Sequence, residues 1–205
     1  MRDIIVIGYS GHGYVVVDII LSLDLRIKGY IDVGPKDNNP FNLDYLGDEE
    51  ILLNEKHKLS KLFVAIGDNK VRKSIMERFE LTHTFAKLQH KMSMTTSFCE
   101  FGEGSMQAAA SVLNPMCQIG KGCIINTGAI IEHECVIGDY THIAPGAVLA
   151  GNVSVGSLTF IGANAVVKQN VSIGNNVTIG AGSVIIQDVP DGVTVVGNPG
   201  RIIKS

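Results

Sequence analysis

Six histidines are present, His12, His57, His83, His90, His133 and His142, and one of them has a carboxylate on each side: Glu132 and Glu134 flank His133. An imidazole beside a carboxylate can serve as a general base near neutral pH, with the carboxylate fixing which ring nitrogen carries the proton. Near the start of the chain, GYSGHG places Gly8, Gly11 and Gly13 where the backbone can turn sharply and approach a ligand closely. The free N–H groups of a helix that follows such a turn favour phosphate. Asp32 comes 19 residues after Gly13, at a place where an acid can meet a ribose hydroxyl or a base. Each feature also has a plainer account. A corner histidine can simply be solvated, and any turn between a strand and a helix can carry glycine. The four cysteines, Cys99, Cys117, Cys123 and Cys135, lack the spacing of a zinc site and read as small buried hydrophobes.

These residues need elements to hold them. DIIVIG reads as a buried strand, and the glycine turn after it leads into the apolar run YVVVDIILSL, a helix. IKGYID is a second strand ending at Asp32, GDEEILLN a short helix, KLFVAIG a strand ending at Gly67, NKVRKSIMERF an amphipathic helix and HTFAKLQ a last strand. Alternating β and α elements imply a small parallel sheet covered by helices, about half of a full dinucleotide domain, over residues 1–95.

The second part, 96–205, is a repeat. From Ile119 the chain divides into twelve hexads without insertion, from IGKGCI and INTGAI to IGAGSV and IIQDVP. The first residue is always Ile, Leu or Val, and the fifth is always small or β-branched. Two residues apart along a strand, positions five and one share a face, and because both are apolar that face points inward. Gly, Asn, Asp and Pro gather at positions two to four, where corners need unusual backbone angles. Short strands with a corner every six residues make a triangular prism, three hexads per turn. Carried back in the same frame, the prism begins near Phe101 and has five coils. His133 is third in its hexad and so projects from a corner. His142, nine residues on, points to roughly the opposite side; the two meet in one site only if copies of the chain pack side by side.

The hexads resemble those of the hexapeptide-repeat transferases, whose fold is a left-handed parallel β-helix. The usual crossover rule favours the opposite hand, so the handedness is implied by the resemblance alone. The expected fold is therefore an α/β Rossmann-like half domain followed by an all-β left-handed parallel β-helix. A closer resemblance runs over nearly the whole chain. GYSGHG, YID, AIGDNKVRK and NTGAIIEHECVIGDYTHIAPGAVLAGNVSVG are similar to the sugar-nucleotide acetyltransferases related to the bacillosamine-pathway N-acetyltransferase and to the sialic-acid O-acetyltransferase family. That resemblance implies a nucleotide-linked amino-sugar of 4-amino-4,6-dideoxy type on the N-terminal domain and acetyl-CoA on the β-helix. Ser10, Gly11 and His12 would contact the diphosphate or sugar, Asp32 the nucleoside, and Gly67 the nearby loop floor. His133 would be the base and Glu134 its partner. In an implied homotrimer acetyl-CoA would lie between subunits, with His142 near the thioester and Gly151 and Ala163 lining the pantetheine channel. One departure stands out: the bacillosamine-type enzymes carry two consecutive acids after the second strand, whereas here Asp32 is followed by Val33. Arg201, in the closing VVGNPGRIIK, is either a contact for a CoA phosphate or a plain surface arginine.

The alternatives are O-acetylation of a sialic-acid-type sugar, a γ-type carbonic anhydrase and a non-catalytic sugar-nucleotide-binding partner. A carbonic anhydrase on this prism needs three histidines for zinc, and the repeat contains two; no metal is expected. A net charge of -3 over 205 residues gives no footprint for nucleic acid. No run approaches the roughly 18 apolar residues of a membrane span, and Met-Arg-Asp leads straight into a strand, so no membrane insertion and a cytoplasmic location are expected.

Overall fold

The computed structural model describes residues 3–54 and 57–204. The N-terminal sheet contains β1 (Ile4–Ile7), β2 (Ile27–Ile31), β3 (Tyr45–Gly47) and β4 (Lys61–Val64), all parallel, in the order β3-β2-β1-β4. Every residue of β1 is buried, as an apolar run in a sheet covered on both faces should be. Helix α1 (Gly11–Ser22) follows β1, and α2 (Asn69–Phe79) follows β4. The start of α2 is fixed by Asp68, whose carboxylate accepts the N–H groups of Lys70 and Val71.

HTFAKLQ is the segment that departs from expectation. Only Phe85 bridges to Leu62 of β4, and Leu88–Gln89 joins the repeat instead, pairing with Met106–Gln107. The strand stack therefore begins before Phe101, and its second face has six strands where five coils were expected. The cause is a polar first coil. Gln89, Thr95 and Gln107 stand in the inward first position of their hexads, and Gln107, fully buried, accepts from Gln89 Nε2 at 2.9 Å and donates to the Met94 carbonyl at 3.1 Å. A buried amide satisfied in this way continues the prism without an apolar signal.

The rest of the repeat stacks as parallel strand pairs on three faces. Positions one and five fill the interior, from Leu113 and Cys117 to Val193 and Val195. Position four turns most corners with a positive φ: Glu134 at 63°, Tyr140 at 58°, and Asn152, Asn164, Asn170 and Asn176 between 53° and 62°. Asparagine tolerates that conformation best among residues with a side chain.

The sixth position points outward and differs from face to face. One face carries Met106, Ile124, His142, Phe160 and Thr178; the next Met94, Val112, Ile130, Val148, Val166 and Val184; the third Glu100, Gln118, Val136, Ser154 and Ser172. The first is covered by the N-terminal domain: Met106 and Ile124 are buried in one cluster with Val16, Ile20, Tyr30 and Phe63. The two domains thus share a core.

Candidate functional site

His133 and Glu134 occupy the corner between the apolar second face, at Ile130–Ile131, and the polar third face, at Val136–Ile137. The backbone of this corner is tied to the coils on either side. Glu134 N–H donates to the Pro115 carbonyl at 3.0 Å, and the His133 carbonyl accepts from Asn152 N–H at 2.8 Å. The side chains are open to solvent, 58% and 62% exposed, and His133 Nδ1 lies 3.0 Å from Glu134 Oε2. An ionised carboxylate only accepts, so Nδ1 holds the proton and Nε2 presents a lone pair to whatever enters the corner. Gly151 is the residue one coil above His133, and an added Cβ there would sit 2.6 Å from Nε2.

The glycine turn lies elsewhere on the subunit. Gly8 has a φ of +89°, and a Cβ on Gly13 would be 2.6 Å from the Gly8 carbonyl, so both positions need glycine for the fold itself. Gly11 differs: a Cβ there would meet nothing within 4 Å. The first bond of α1 runs from Tyr14 N–H to the Ser10 carbonyl at 2.9 Å, and the exposed Ser10 side chain makes no cap. The N–H groups ahead of Tyr14 are thus offered outward, next to open space. At the carboxyl ends of β1 and β2 a cavity of about 370 Å³ is lined by Ile7, Gly8, Ile31, Asp32 and Ile66, among others. Asp32 is both wall and brace. Its carboxylate accepts Tyr9 N–H at 2.9 Å and Val33 N–H at 2.8 Å, and meets Lys36 Nζ at 2.9 Å. Burial works to raise the Asp32 carboxyl, but the Tyr9 N–H, the Lys36 ammonium and the Val33 N–H outweigh it and hold it below the ordinary value.

His142 is not with His133. It lies at the domain junction, buried, 6.2 Å from His12 between ring centroids and edge-on to Phe160. Asn126 Oδ1 accepts Thr127 N–H, so Asn126 Nδ2 donates to His142 Nε2 at 3.2 Å and the His142 proton sits on Nδ1. Among the described residues neither His142 Nδ1 nor His12 Nε2, both buried, has a partner at full hydrogen-bond geometry, and only the Gly67 backbone, close to His142, opposes the loss of its charge. Burial and then the charge of Arg72 push His12 down to about 4 and His142 to about 3. The unfolded chain binds protons on these rings near the ordinary imidazole value of 6.5, and the folded chain does not. Stability is therefore full above that value and falls as pH drops toward the folded values. The urea midpoint is expected to decline between about pH 7 and pH 5, with a shallower slope in His142→Gln; equal slopes would show that the folded ring titrates normally.

Arg72 ties this junction together, and the sequence reading did not single it out. Fully buried, it donates from Nε to the Gly122 carbonyl at 2.7 Å, from Nη1 to the Ile66 and Gly67 carbonyls at 2.9 and 3.1 Å, and from Nη2 to Asn69 Oδ1 at 2.7 Å and the Tyr140 carbonyl at 2.9 Å. Asn69 Nδ2 in turn donates to the Leu158 and Thr159 carbonyls. Gly122, Tyr140 and Leu158 are corner residues of three successive coils, so the start of α2 reads one edge of the prism. The Arg72 bond to the Gly67 carbonyl also holds the Gly67 backbone near His142.

Gly151 and Ala163 do not meet within one chain. Gly151 lies between Val148–Leu149 and Ser154–Val155, and Ala163 between Phe160–Ile161 and Val166–Val167. They occupy the two corners that border the apolar second face. Arg201 is exposed, with Nη1 donating to the Gly200 carbonyl. Among the described residues no group of three or more His, Cys, Asp or Glu is spaced to hold a metal ion, and no helix is long and apolar enough to cross a membrane.

Both parts of the chain match known families and solved structures. A family model described as the PglD N-terminal domain matches residues 3–79, and the bacterial transferase hexapeptide model matches 116–151 and 152–187. Among solved structures, the acetyltransferase domain of PglB from Neisseria gonorrhoeae is 32% identical, covers 99% of this chain and 100% of its own, and superposes with a TM-score of 0.94; it is also known in complex with acetyl coenzyme A. PerB from Caulobacter crescentus, in complex with CoA and GDP-perosamine, is 32% identical over 98% of this chain and 97% of its own, with a TM-score of 0.92. WeeI from Acinetobacter baumannii is 30% identical over 99% and 100%, with a TM-score of 0.90. No curated protein sequence matches the chain.

Proposed function

The chain belongs to the sugar-nucleotide N-acetyltransferases that join a PglD-type N-terminal domain to a transferase hexapeptide repeat, and from that membership we propose the reaction it carries out. It moves the acetyl group of acetyl-CoA to the amino group of a nucleotide-linked amino-sugar, of 4-amino-4,6-dideoxy type, in one direct step. The amine nitrogen attacks the thioester carbonyl and His133 Nε2 takes its proton. The C–S bond then breaks, and the CoA thiolate recovers the proton from the imidazolium. Glu134 keeps the other ring nitrogen protonated and steadies the positive ring. The observation that carries this reading is the solvent-open His133–Glu134 pair, 3.0 Å apart, at the edge of the prism's uncovered apolar face.

The N-terminal domain is assigned the nucleotide sugar: the diphosphate or sugar at Ser10, Gly11 and His12, the nucleoside at Asp32, and Gly67 on the loop floor. The repeat is assigned acetyl-CoA, with His142, Gly151 and Ala163. A cytoplasmic location suits both substrates, and the four free cysteines accord with a reducing compartment. The test is turnover of acetyl-CoA against UDP-, GDP-, dTDP- and CMP-linked 4-amino sugars, read as thiol release and as an amide product stable to mild hydroxylamine. A hydroxylamine-labile ester would move the assignment to O-acetylation. Binding of the sugar nucleotides without any thiol release would make the chain a non-catalytic partner, and bound zinc with hydration of carbon dioxide would make it a carbonic anhydrase.

The shared site requires a second copy. Met94, Val112, Ile130, Val148, Val166 and Val184 form an apolar stripe, with Met94 61% and Val166 40% exposed, and a stripe of that length on a sheet face calls for a cover. Packed against neighbouring copies around a threefold axis, it would bring the Gly151 corner of one subunit toward the Ala163 corner of the next. Light scattering is expected to give three times the 21.9 kDa of one chain, and Val148→Asp a smaller species. A stable wild-type monomer at assay concentration would remove both the trimer and the shared channel.

Gly11 tests the division of labour. Its Cβ space is empty in the protein, so Gly11→Val should fold normally while obstructing the approach of a phosphate. The KM for the nucleotide sugar should rise far more than that for acetyl-CoA; equal changes in both would reverse the assignment of ligands to domains.

A further inference from the structure

We propose that Gly151 is the positioning residue for the His133 imidazole: the absence of a side chain at 151 creates the seat in which the ring is held against Glu134. The inference rests on the reading of His133 as the base. A Cβ built on Gly151 would fall 2.5 Å from Cε1, 2.6 Å from Nε2 and 3.2 Å from Nδ1 of His133, so the ring fills the volume that a methyl group would take.

The backbone does not demand glycine here. Gly151 is not among the positive-φ glycines, so an L-residue could adopt its conformation without strain. Coil stacking does not demand it either. At Gly138, Gly156 and Gly162 an added Cβ would be 2.6 Å from the backbone nitrogen of Ser157, Asn175 and Ala181 respectively, so those glycines are needed for one coil to lie on the next. Among the described glycines, Gly151 is the one whose space is taken by a histidine ring.

Three contacts then define where Nε2 points. The His133 carbonyl is fixed by Asn152 N–H, Nδ1 is fixed by Glu134, and the Cε1–Nε2 side of the ring fills the space left open at Gly151. Glu134 alone leaves the ring free to swing about that one bond, because both side chains are more than half exposed. The seat removes this freedom at the moment when the amine must meet the lone pair.

Because the obstructed group is a side chain open to solvent, Gly151→Ala should fold as the wild type does, with the ring turned out of its place. The kcat for acetyl transfer should fall on the order of 10- to 100-fold, the range for a catalytic group misplaced by about an ångström, with the thermal midpoint unchanged. A double-mutant cycle separates this role from a direct contact with the acyl donor: in a His133→Ala background, Gly151→Ala should cost nothing further. Nitrogen NMR of the resting enzyme supplies a readout that needs no turnover, the Nδ1–H signal of His133 ordered in the wild type and averaged in Gly151→Ala. Wild-type kcat in Gly151→Ala, an unchanged His133 signal, or an additive loss in the double variant would each overturn the proposal. An unchanged rate in His133→Ala, with the NMR difference intact, would instead overturn the assignment of the base and leave the seat standing.

Discussion

His133→Ala is expected to lower kcat on the order of 10²- to 10⁴-fold, the usual range for removing a positioned general base, and to leave acetyl-CoA binding in place. The size follows from the chemistry. An amine that attacks a thioester carbonyl becomes a cationic centre that must lose a proton before the C–S bond can break productively. Within the corner that His133 occupies, Nε2 is the lone pair oriented for that task by the Nδ1 contact with Glu134 at 3.0 Å. Binding should survive because the corner at Ala163 and the backbone of the neighbouring coils do not depend on the imidazole. Glu134→Ala should cost less, since it frees the ring without removing it. The measurement is steady-state kinetics on all three proteins together with the acetyl-CoA Kd. A His133→Ala protein that binds both substrates and turns over at the wild-type rate would refute proton removal by this residue, leaving the rate to proximity of an already neutral amine and the thioester.

Arg72→Met is expected to give the largest loss of stability of any single change at the domain junction. The guanidinium is buried, and burial pushes its pKa down to about 10, yet the group remains charged at neutral pH. Among the described residues no carboxylate pairs with it. Four backbone carbonyls and the Asn69 amide oxygen take that role. Methionine has similar reach but no donors, so the carbonyls of Ile66, Gly67, Gly122 and Tyr140 would lose their partner. At about 1–3 kcal/mol for a buried group left unsatisfied, and with some of the carbonyls finding water, a total loss on the order of 3 kcal/mol follows. Urea denaturation should show a lower midpoint, and the nucleotide-sugar KM should rise as Gly67 loses its anchor. Arg72→Lys should recover part of the stability, because an ammonium satisfies some of the carbonyls without the fork geometry. If Arg72→Met matched the wild type in stability, the two domains would have to be held together by the apolar cluster at Met106 and Ile124 alone.

The repeat was readable from the sequence because its rule is local. A residue in the first or fifth place of a hexad points inward whatever the rest of the chain does, so two apolar columns define the prism, and a residue in the third place, His133, must project from a corner. The βα alternation of the first domain was readable for the same reason: a buried central strand such as Ile4–Ile7 is apolar throughout, and in Asn69–Phe79 the apolar Ile75, Met76 and Phe79 recur at one-turn spacing on a single buried face. The polar first coil escaped this logic, because Gln107 is buried by partners, Gln89, Thr95 and the Met94 carbonyl, that no periodicity announces. The outward sixth column carries a second signal. Read with a period of eighteen instead of six, it separates the face beneath the N-terminal domain from the open apolar face and the polar one.

What only the folded chain decided is which distant residues share a place. Nine residues separate His133 from His142, and the sequence puts them on opposite sides, but nothing in it brings His142 to His12, 6.2 Å away across a domain junction. Nor does an arginine in the middle of NKVRKSIMERF advertise that it will meet corner carbonyls some 50 and 68 residues further on. Such contacts depend on how one rigid body lands on another. That landing is set by the summed burial of Met106, Ile124, Val16, Ile20 and their neighbours, a sum over the whole surface that no single position records. Hydrogen bonds like those of Arg72 then lock the landing with directions that exist only after the apolar surfaces have met.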